Sequence, residues 1–182
     1  YNNWDFNAAG AIFEQLTGRS IYESLRDDLA LPLGMEDFDM SKQRKSGRLD
    51  LSRFPAYHIY LSTRDMARLG YLMLRQGRWK DKQVISEEWV KRIVSVITPH
   101  KDMNPHSRRN IFEYGYMWWL FKLDAPEFRG AYTARGSMGQ YITVLPELDM
   151  VIAHKTDSIY GRSTSWNNYF KLIRMILNAR FE

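Results

Sequence analysis

The chain contains no cysteine, which removes disulfides, thiolate nucleophiles and cysteine-bound metals from any account of its 182 residues. No apolar run approaches the roughly 18 residues that a membrane-crossing helix needs, so no membrane span is expected. The four histidines, His58, His100, His106 and His154, show no H-E-x-x-H and no paired ligand spacing. A metal site is therefore not expected, nor any cofactor. The G-x-S-x-G elbow and the phosphate-binding P-loop are both absent. None of the serines is followed three places later by lysine. Internal repeats and low-complexity tracts are missing as well.

What is present suits one globular domain, or most of a larger one: 45% of residues are hydrophobic and 26% charged. The net charge is +5, with the basic residues scattered apart from one denser run, Lys42-Gln43-Arg44-Lys45-Ser46-Gly47-Arg48. A single-stranded nucleic-acid face would interleave aromatics with its cations. None stands in this run, so it reads as a solvated loop and no nucleic-acid partner is expected. The chain opens at Tyr1 without an initiator Met, and further polypeptide upstream is expected.

Helical spacing dominates the first half. Phe6, Ala9, Ile12, Phe13 and Leu16 fall on one face of a helix over 4–17, with Gly18 placed to end it. Ser20, with Glu23 three residues on, opens a second helix whose buried stripe is Ile21, Leu25 and Leu29. Residues 36–61 read as a polar surface excursion. Ser62 and Asp65 open a third helix with Met66, Leu69, Leu72 and Met73 inside, and Ser86 caps a fourth. The pattern then changes. The run Tyr114-Gly115-Tyr116-Met117-Trp118-Trp119-Leu120-Phe121 reads as a strand buried on both faces. Strands follow over 131–136, 139–145 and 149–155, the last two joined by a tight turn at Pro146-Glu147-Leu148-Asp149. A closing helix carries Trp166, Tyr169, Phe170, Ile173, Ile176 and Leu177 in one stripe. The expected fold is α+β, an antiparallel sheet flanked by helices. Its expected organisation is a mainly helical region, 1–110, and the strands with the last helix, 111–182, in one domain.

One stretch asks for a reason. Arg135-Gly136-Ser137-Met138-Gly139-Gln140 places two glycines at a strand that otherwise looks buried. Glycine weakens a strand unless something approaches the backbone closely.

Four stretches in order supply a candidate reason. Tyr1-Asn2-Asn3 precedes a helix carrying Phe6, Gly10, Ile12, Glu14, Thr17 and Gly18, followed by Pro32-Leu33-Gly34-Met35. The helix "LSTRDMARLGYLML", the segment "YGYMWW" and the segment "ARGSMGQYITVLPELDMVIAH" come later. Together they resemble the serine β-lactamase and penicillin-binding-protein-like family, in its class C, esterase and D-alanyl-peptidase branch. The resemblance covers essentially the whole chain. It implies a β-lactamase/transpeptidase-like fold whose N-terminal part is missing here.

The resemblance also implies a mechanism. In that family a serine in S-x-x-K attacks an acyl carbon, and the tyrosine of Y-x-N takes its proton. A free tyrosine titrates near about 10, and a neighbouring ammonium lowers that value. Tyr1 would be the base and Asn3 would orient the lysine and the acyl amide. Gly136 takes the place of the glycine in the family's K-x-G, so the Ser137 N–H would be one oxyanion donor, with Arg135, Gly136 and Gln140 along the substrate. The partner implied is a small-molecule or peptide-like acyl substrate. The S-x-x-K serine would come from a missing N-terminal segment, so this chain alone would be inactive. The place of the K-x-G cation falls on Ala134, which favours a broader esterase or amidase site over a carboxylate-clamping one. "HKTD" at 154–157 mimics K-T-G, but Asp157 replaces the glycine past the turn, and it is set aside. Family habit implies an exported or envelope location. A non-catalytic binding or sensing domain of this fold, and an unrelated basic interaction domain, are the other readings.

Overall fold

A computed structural model describes residues 2–48, 50–104, 111–157 and 160–180. They group into two compact units, Tyr1–Asp65 and Met66–Glu182.

The first unit opens with α1 (Asn3–Thr17). Asn2 caps it, its side chain accepting from the Trp4 N–H at 3.0 Å, and Gly18 ends it in the left-handed conformation (φ 66°). The expected buried stripe of α1 is largely exposed: Ile12 keeps 51% of its surface and Leu16 82%. The face that packs instead carries Gly10 and Glu14. A Cβ at Gly10 would collide with the Tyr57 ring, so the glycine is what lets that ring lie against the helix. The next helical run begins as α2 (Ile21–Ser24), widens into a π-helical turn over Leu25–Ala30 and closes as α3 (Leu31–Leu33). Its buried residues are Tyr22, Ser24, Ala30 and Leu33, whereas the expected Ile21, Leu25 and Leu29 are half-buried. The wider turn shifts side chains off the 3.6-residue spacing. The polar excursion is not wholly irregular. It holds an antiparallel hairpin, β1 (Arg44–Ser46) with β2 (Ala56–His58), paired Arg44 to His58 through Ser46 to Ala56.

The second unit is built on a five-stranded antiparallel meander. Its strands are β5 (Phe112–Tyr114), β6 (Trp119–Phe121), β7 (Tyr132–Gly136), β8 (Gln140–Leu145) and β9 (Met150–His154), each paired with the next. A minor hairpin, β3 (Arg78–Trp79) with β4 (Lys82–Gln83), connects the helices. The run 114–121 is not one strand but a hairpin. Met117 adopts φ 65°, and the Gly115 N–H donates to the Trp118 carbonyl at 2.9 Å. Gly115 lies so close to the Ile93 and Ser95 carbonyls that a side chain would not fit, and this close approach breaks the run.

Alternation along the strands divides the sheet into two faces. On one, α6 (Trp166–Asn178) buries Tyr169, Ile173 and Leu177 against Tyr141, Leu145 and Ile152. On the other, Met73 of α4 (Thr63–Leu74) and Val90 of α5 (Glu87–Ile93) pack on Leu120, Tyr132 and Val144. Ser62 and Ser86 cap these two helices, accepting from the N–H groups of Asp65 and Trp89. Each fully buried aliphatic or aromatic side chain here stabilises the fold by about 1.5–3 kcal/mol. Under α6 a line of hydroxyls is enclosed in the core. The Tyr169 hydroxyl lies 2.8 Å from Thr143 Oγ1, which lies 2.9 Å from Thr133 Oγ1. Thr133 in turn donates to the Ala134 carbonyl at 3.2 Å. These polar atoms satisfy one another and nearby carbonyls. The result is an antiparallel sheet flanked by helices, the α+β fold expected.

Candidate active site

The candidate residues fall into both units. Tyr1 lies outside the described residues. Asn3 is the first residue of α1 in the first unit, and its side chain is exposed. The middle residue of the Y-x-N stretch has its own task, since Asn2 is the cap of α1. That role was readable in the sequence, because Asn directly before a helix is among the strongest capping signals.

The other four candidates meet at the hairpin between β7 and β8. Gly136 pairs with Gln140, and Ser137, Met138 and Gly139 make the turn. Ser137 is exposed, whereas Gly139 is buried. Both Met138 (φ 62°) and Gly139 (φ 84°) are left-handed. Glycine adopts that conformation readily, but an ordinary side chain pays about 1–3 kcal/mol and holds it only when its surroundings enforce it. Those surroundings are visible. The Gln140 side-chain amide donates to the Ser137 carbonyl at 3.1 Å. His154 Nδ1 lies 2.9 Å from the Gly139 carbonyl and therefore carries the proton there. A Cβ at Gly139 would stand 2.5–2.8 Å from Thr164, so that segment packs directly on the glycine backbone. Thr164 is itself fixed, its carbonyl accepting from the Tyr141 hydroxyl at 3.0 Å and its Oγ1 lying 2.7 Å from Thr156 Oγ1.

Arg135 is directed to the α6 face, as alternation requires. Its guanidinium carbon sits over three rings, 5.0 Å from Trp166, 5.1 Å from Trp119 and 5.5 Å from Phe112. Such contacts are worth about 0.5–2 kcal/mol each and hold the cation in place. Ala134, at the place of the K-x-G cation, faces away from α6 and pairs with Ile142. The two sides of β7 differ in extent. Its ladder with β8 runs from Tyr132 to Gly136, whereas among the described residues its ladder with β6 covers Tyr132 and Thr133 alone. The strand thus reaches the turn with one side past the end of β6. Burial pushes the Tyr141 phenol above its ordinary value, with Arg135 acting in the opposite sense.

The first unit carries a separate open groove of about 600 Å³ lined by Glu14, Gln15, Lys45, Arg53, Phe54 and Tyr57 among others. Glu14 is its organising group. The carboxylate accepts from the Ile21 N–H at 3.2 Å and the Tyr57 hydroxyl at 3.0 Å, and pairs with Lys45. Burial pushes the Glu14 carboxyl upward, but the Lys45, Ile21 and Tyr57 contacts together hold it below the usual range. Burial and the bond to Glu14 push the Tyr57 phenol up to about 12. Among the described residues no three His, Asp or Glu side chains are gathered as a metal site.

A meander covered by helices on both faces, with a glycine-bordered hairpin left exposed at one strand end, is the β-lactamase/transpeptidase-like fold. The chain belongs to the β-lactamase family, whose model matches residues 1–159. An uncharacterized protein of Alkalihalophilus pseudofirmus is 27% identical over 119 residues, 60% of this chain and 33% of that protein. Among solved structures, a candidate 6-aminohexanoate-dimer hydrolase from Bacillus anthracis superposes with a TM-score of 0.69 at 21% identity, covering 98% of this chain and 42% of that one. A β-lactamase from Mycobacterium bovis gives a TM-score of 0.64 at 16% identity, over 98% of this chain and 62% of that one. A penicillin-binding protein homologue from Caulobacter crescentus gives 0.56 at 17% identity, over 80% and 48%. The chain therefore spans between a third and about three fifths of the length of these relatives. No described helix is long and apolar enough to cross a membrane.

Proposed function

We propose that this chain is the C-terminal segment of a serine hydrolase that cleaves amide, lactam or ester bonds through an acyl-enzyme. The observation that carries the reading is the β7 hairpin: β7 continues past its pairing with β6 to an exposed Gly136 and Ser137. An acyl substrate laid along that side of the strand finds main-chain groups to pair with and no side chain at Gly136. Its carbonyl oxygen then sits at the Ser137 N–H.

The chemistry follows from that placement. The nucleophilic serine comes from polypeptide outside these 182 residues. Tyr1, as phenolate, takes its hydroxyl proton while Oγ bonds to the acyl carbon. The carbonyl oxygen becomes an oxyanion held by the Ser137 N–H, a donor of the kind whose removal costs about 2.7–4 kcal/mol. Collapse breaks the bond to the leaving group, which receives the proton from Tyr1. Water then repeats the sequence on the acyl-enzyme and releases the acid. Asn3 orients the base and the acyl amide, and Arg135 and Gln140 belong to the substrate-binding strand. With Ala134 in the place of a cation, the site favours neutral amides and esters over substrates clamped by a carboxylate. One structural relative is named for hydrolysing a 6-aminohexanoate dimer. The protein is proposed to act outside the cytoplasm. Ala134 also supports a second reading, a non-catalytic penicillin-binding-like sensor.

Labelling of the full-length protein by a fluorophosphonate and a fluorescent penicillin tests this. A covalent adduct is expected, formed roughly 10²-fold or more slowly after Tyr1→Phe. A folded protein that takes neither label refutes the hydrolase and favours the sensor. Labelling at the wild-type rate in Tyr1→Phe refutes the base assignment.

A further inference from the structure

We infer that Gln140 is a positioning residue that aims the Ser137 main chain by holding the Ser137 carbonyl, an inference that rests on the hydrolase reading for its catalytic meaning. The Ser137 N–H is useful as an oxyanion donor only if it points in one fixed direction before substrate arrives. A three-residue turn with two left-handed residues does not do this unaided, because Met138 is strained at φ 62° and relaxes if released. The far end of the turn is fixed from outside: His154 holds the Gly139 carbonyl, and Thr164 packs on the Gly139 backbone. At the near end, Gln140 reaches back across the hairpin and donates to Ser137 at 3.1 Å. That carbonyl shares its peptide plane with the Met138 N–H, so the bond fixes that plane directly. The Ser137 N–H, one plane earlier, is then confined between this anchor and the paired Gly136.

The side chain is also placed to leave room for this task. A Cβ at Gly136 would stand 3.2 Å from Gln140 Cβ, so the absence of a side chain at Gly136 keeps Gln140 folded over the turn. The second glycine answers to the same arrangement, since any side chain at Gly139 would drive it off Thr164. The two glycines that look out of place in the sequence thus frame one preorganised peptide.

The requirement is for an N–H donor at the end of the Gln140 side chain, and that separates positioning from space filling. Gln140→Glu keeps the shape but, ionised, can only accept. Gln140→Ala removes both. The measurement is the ¹⁵N order parameter of the Ser137 and Met138 N–H vectors in the full-length protein, alongside its melting temperature. In the wild type these vectors should be rigid, near about 0.85, and in both variants they should fall below about 0.6 with the Val144 and Ile152 vectors unmoved. In the full-length protein, both variants should lower kcat for an ester substrate by about tenfold or more while KM changes by less than about threefold, as misdirecting a transition-state donor predicts. Rigid Ser137 and Met138 vectors in Gln140→Glu would overturn the inference. So would an active enzyme whose kcat is indifferent to both variants. Loss of rigidity in a full-length protein that hydrolyses nothing would uphold the positioning role and refute the hydrolase reading instead.

Discussion

Gly70 of α4 and Val151 of β9 approach so closely that a Cβ on the glycine would stand 2.5 Å from Val151 Cγ1 and 2.8 Å from Ile142 Cγ2. The helix lies on the sheet at this point with no side chain between them. Ordinarily Gly→Ala within a helix stabilises by about 1 kcal/mol through the unfolded chain and the helix propensity. Here overpacking opposes that gain. Val151 and Ile142 are β-branched and restricted at χ1, so their methyls have little freedom to swing away. Gly70→Ala should therefore destabilise the fold by about 1–3 kcal/mol, read from the denaturant midpoint at unchanged slope. A midpoint at or above the wild-type value would show that the helix can lift from the sheet at little cost.

The Glu14 cluster makes stability depend on pH in two opposite senses. Glu14 titrates lower in the folded chain than in the unfolded one, where it has its ordinary value near about 4.3. Its contribution is thus fully present above that ordinary value and is lost as pH falls through the lower folded value. Tyr57 is the reverse case: folded it titrates at about 12, above its ordinary value of about 10. Its contribution is complete below the unfolded value and disappears as pH rises through the folded one. Glu14→Gln should cost stability at neutral pH, and the gap to wild type should close on acidification through the Glu14 range. In Tyr57→Phe, ultraviolet absorbance should lose one late-titrating phenol. A gap that persists unchanged in acid would mean that the carboxylate is not what matters, only the shape.

Much of this architecture could be read in advance, for identifiable reasons. Strands expected over 131–136, 139–145 and 149–155 are observed over Tyr132–Gly136, Gln140–Leu145 and Met150–His154. There alternation, the Pro146–Asp149 turn and β-branched residues all agree. The stripe on α6 and the caps at Ser62 and Ser86 were equally plain, because capping and amphipathic spacing are local signals. The run 114–121 misled for a physical reason: eight apolar and aromatic residues look alike whether they form one strand or a hairpin. The deciding contact, Gly115 against the Ile93 carbonyl, is non-local. The stripe on α1 misled because periodicity identifies an apolar face without saying what covers it, and Ile12 and Leu16 are exposed. At the hairpin, the glycines announced a close approach, and strand alternation carries Arg135 to the α6 face. Nothing local announced that the rings beneath Arg135 would come from Phe112, Trp119 and Trp166. Nor was there a local sign that Gln140 would turn back onto Ser137.

Gly136 offers the sharpest separation of structure from chemistry. Unlike Gly139, it is not in the left-handed region, so an L-residue can adopt its backbone. An added Cβ would meet Gln140 Cβ at 3.2 Å and the Gln140 carbonyl at 3.6 Å, a tight but local contact at an exposed hairpin end. Gly136→Ala should consequently fold, with a loss of stability of no more than about 1 kcal/mol. Two effects nonetheless converge on the proposed reaction. The methyl stands where the substrate would meet the strand, and its push on Gln140 loosens the grip on the Ser137 carbonyl. Acylation of the full-length protein by a fluorophosphonate should slow by about tenfold or more, a penalty of the size expected when reacting groups are displaced by a fraction of an ångström. Near-native stability together with wild-type acylation would show that the glycine serves the hairpin alone, and the substrate would then have to be placed elsewhere on the strand.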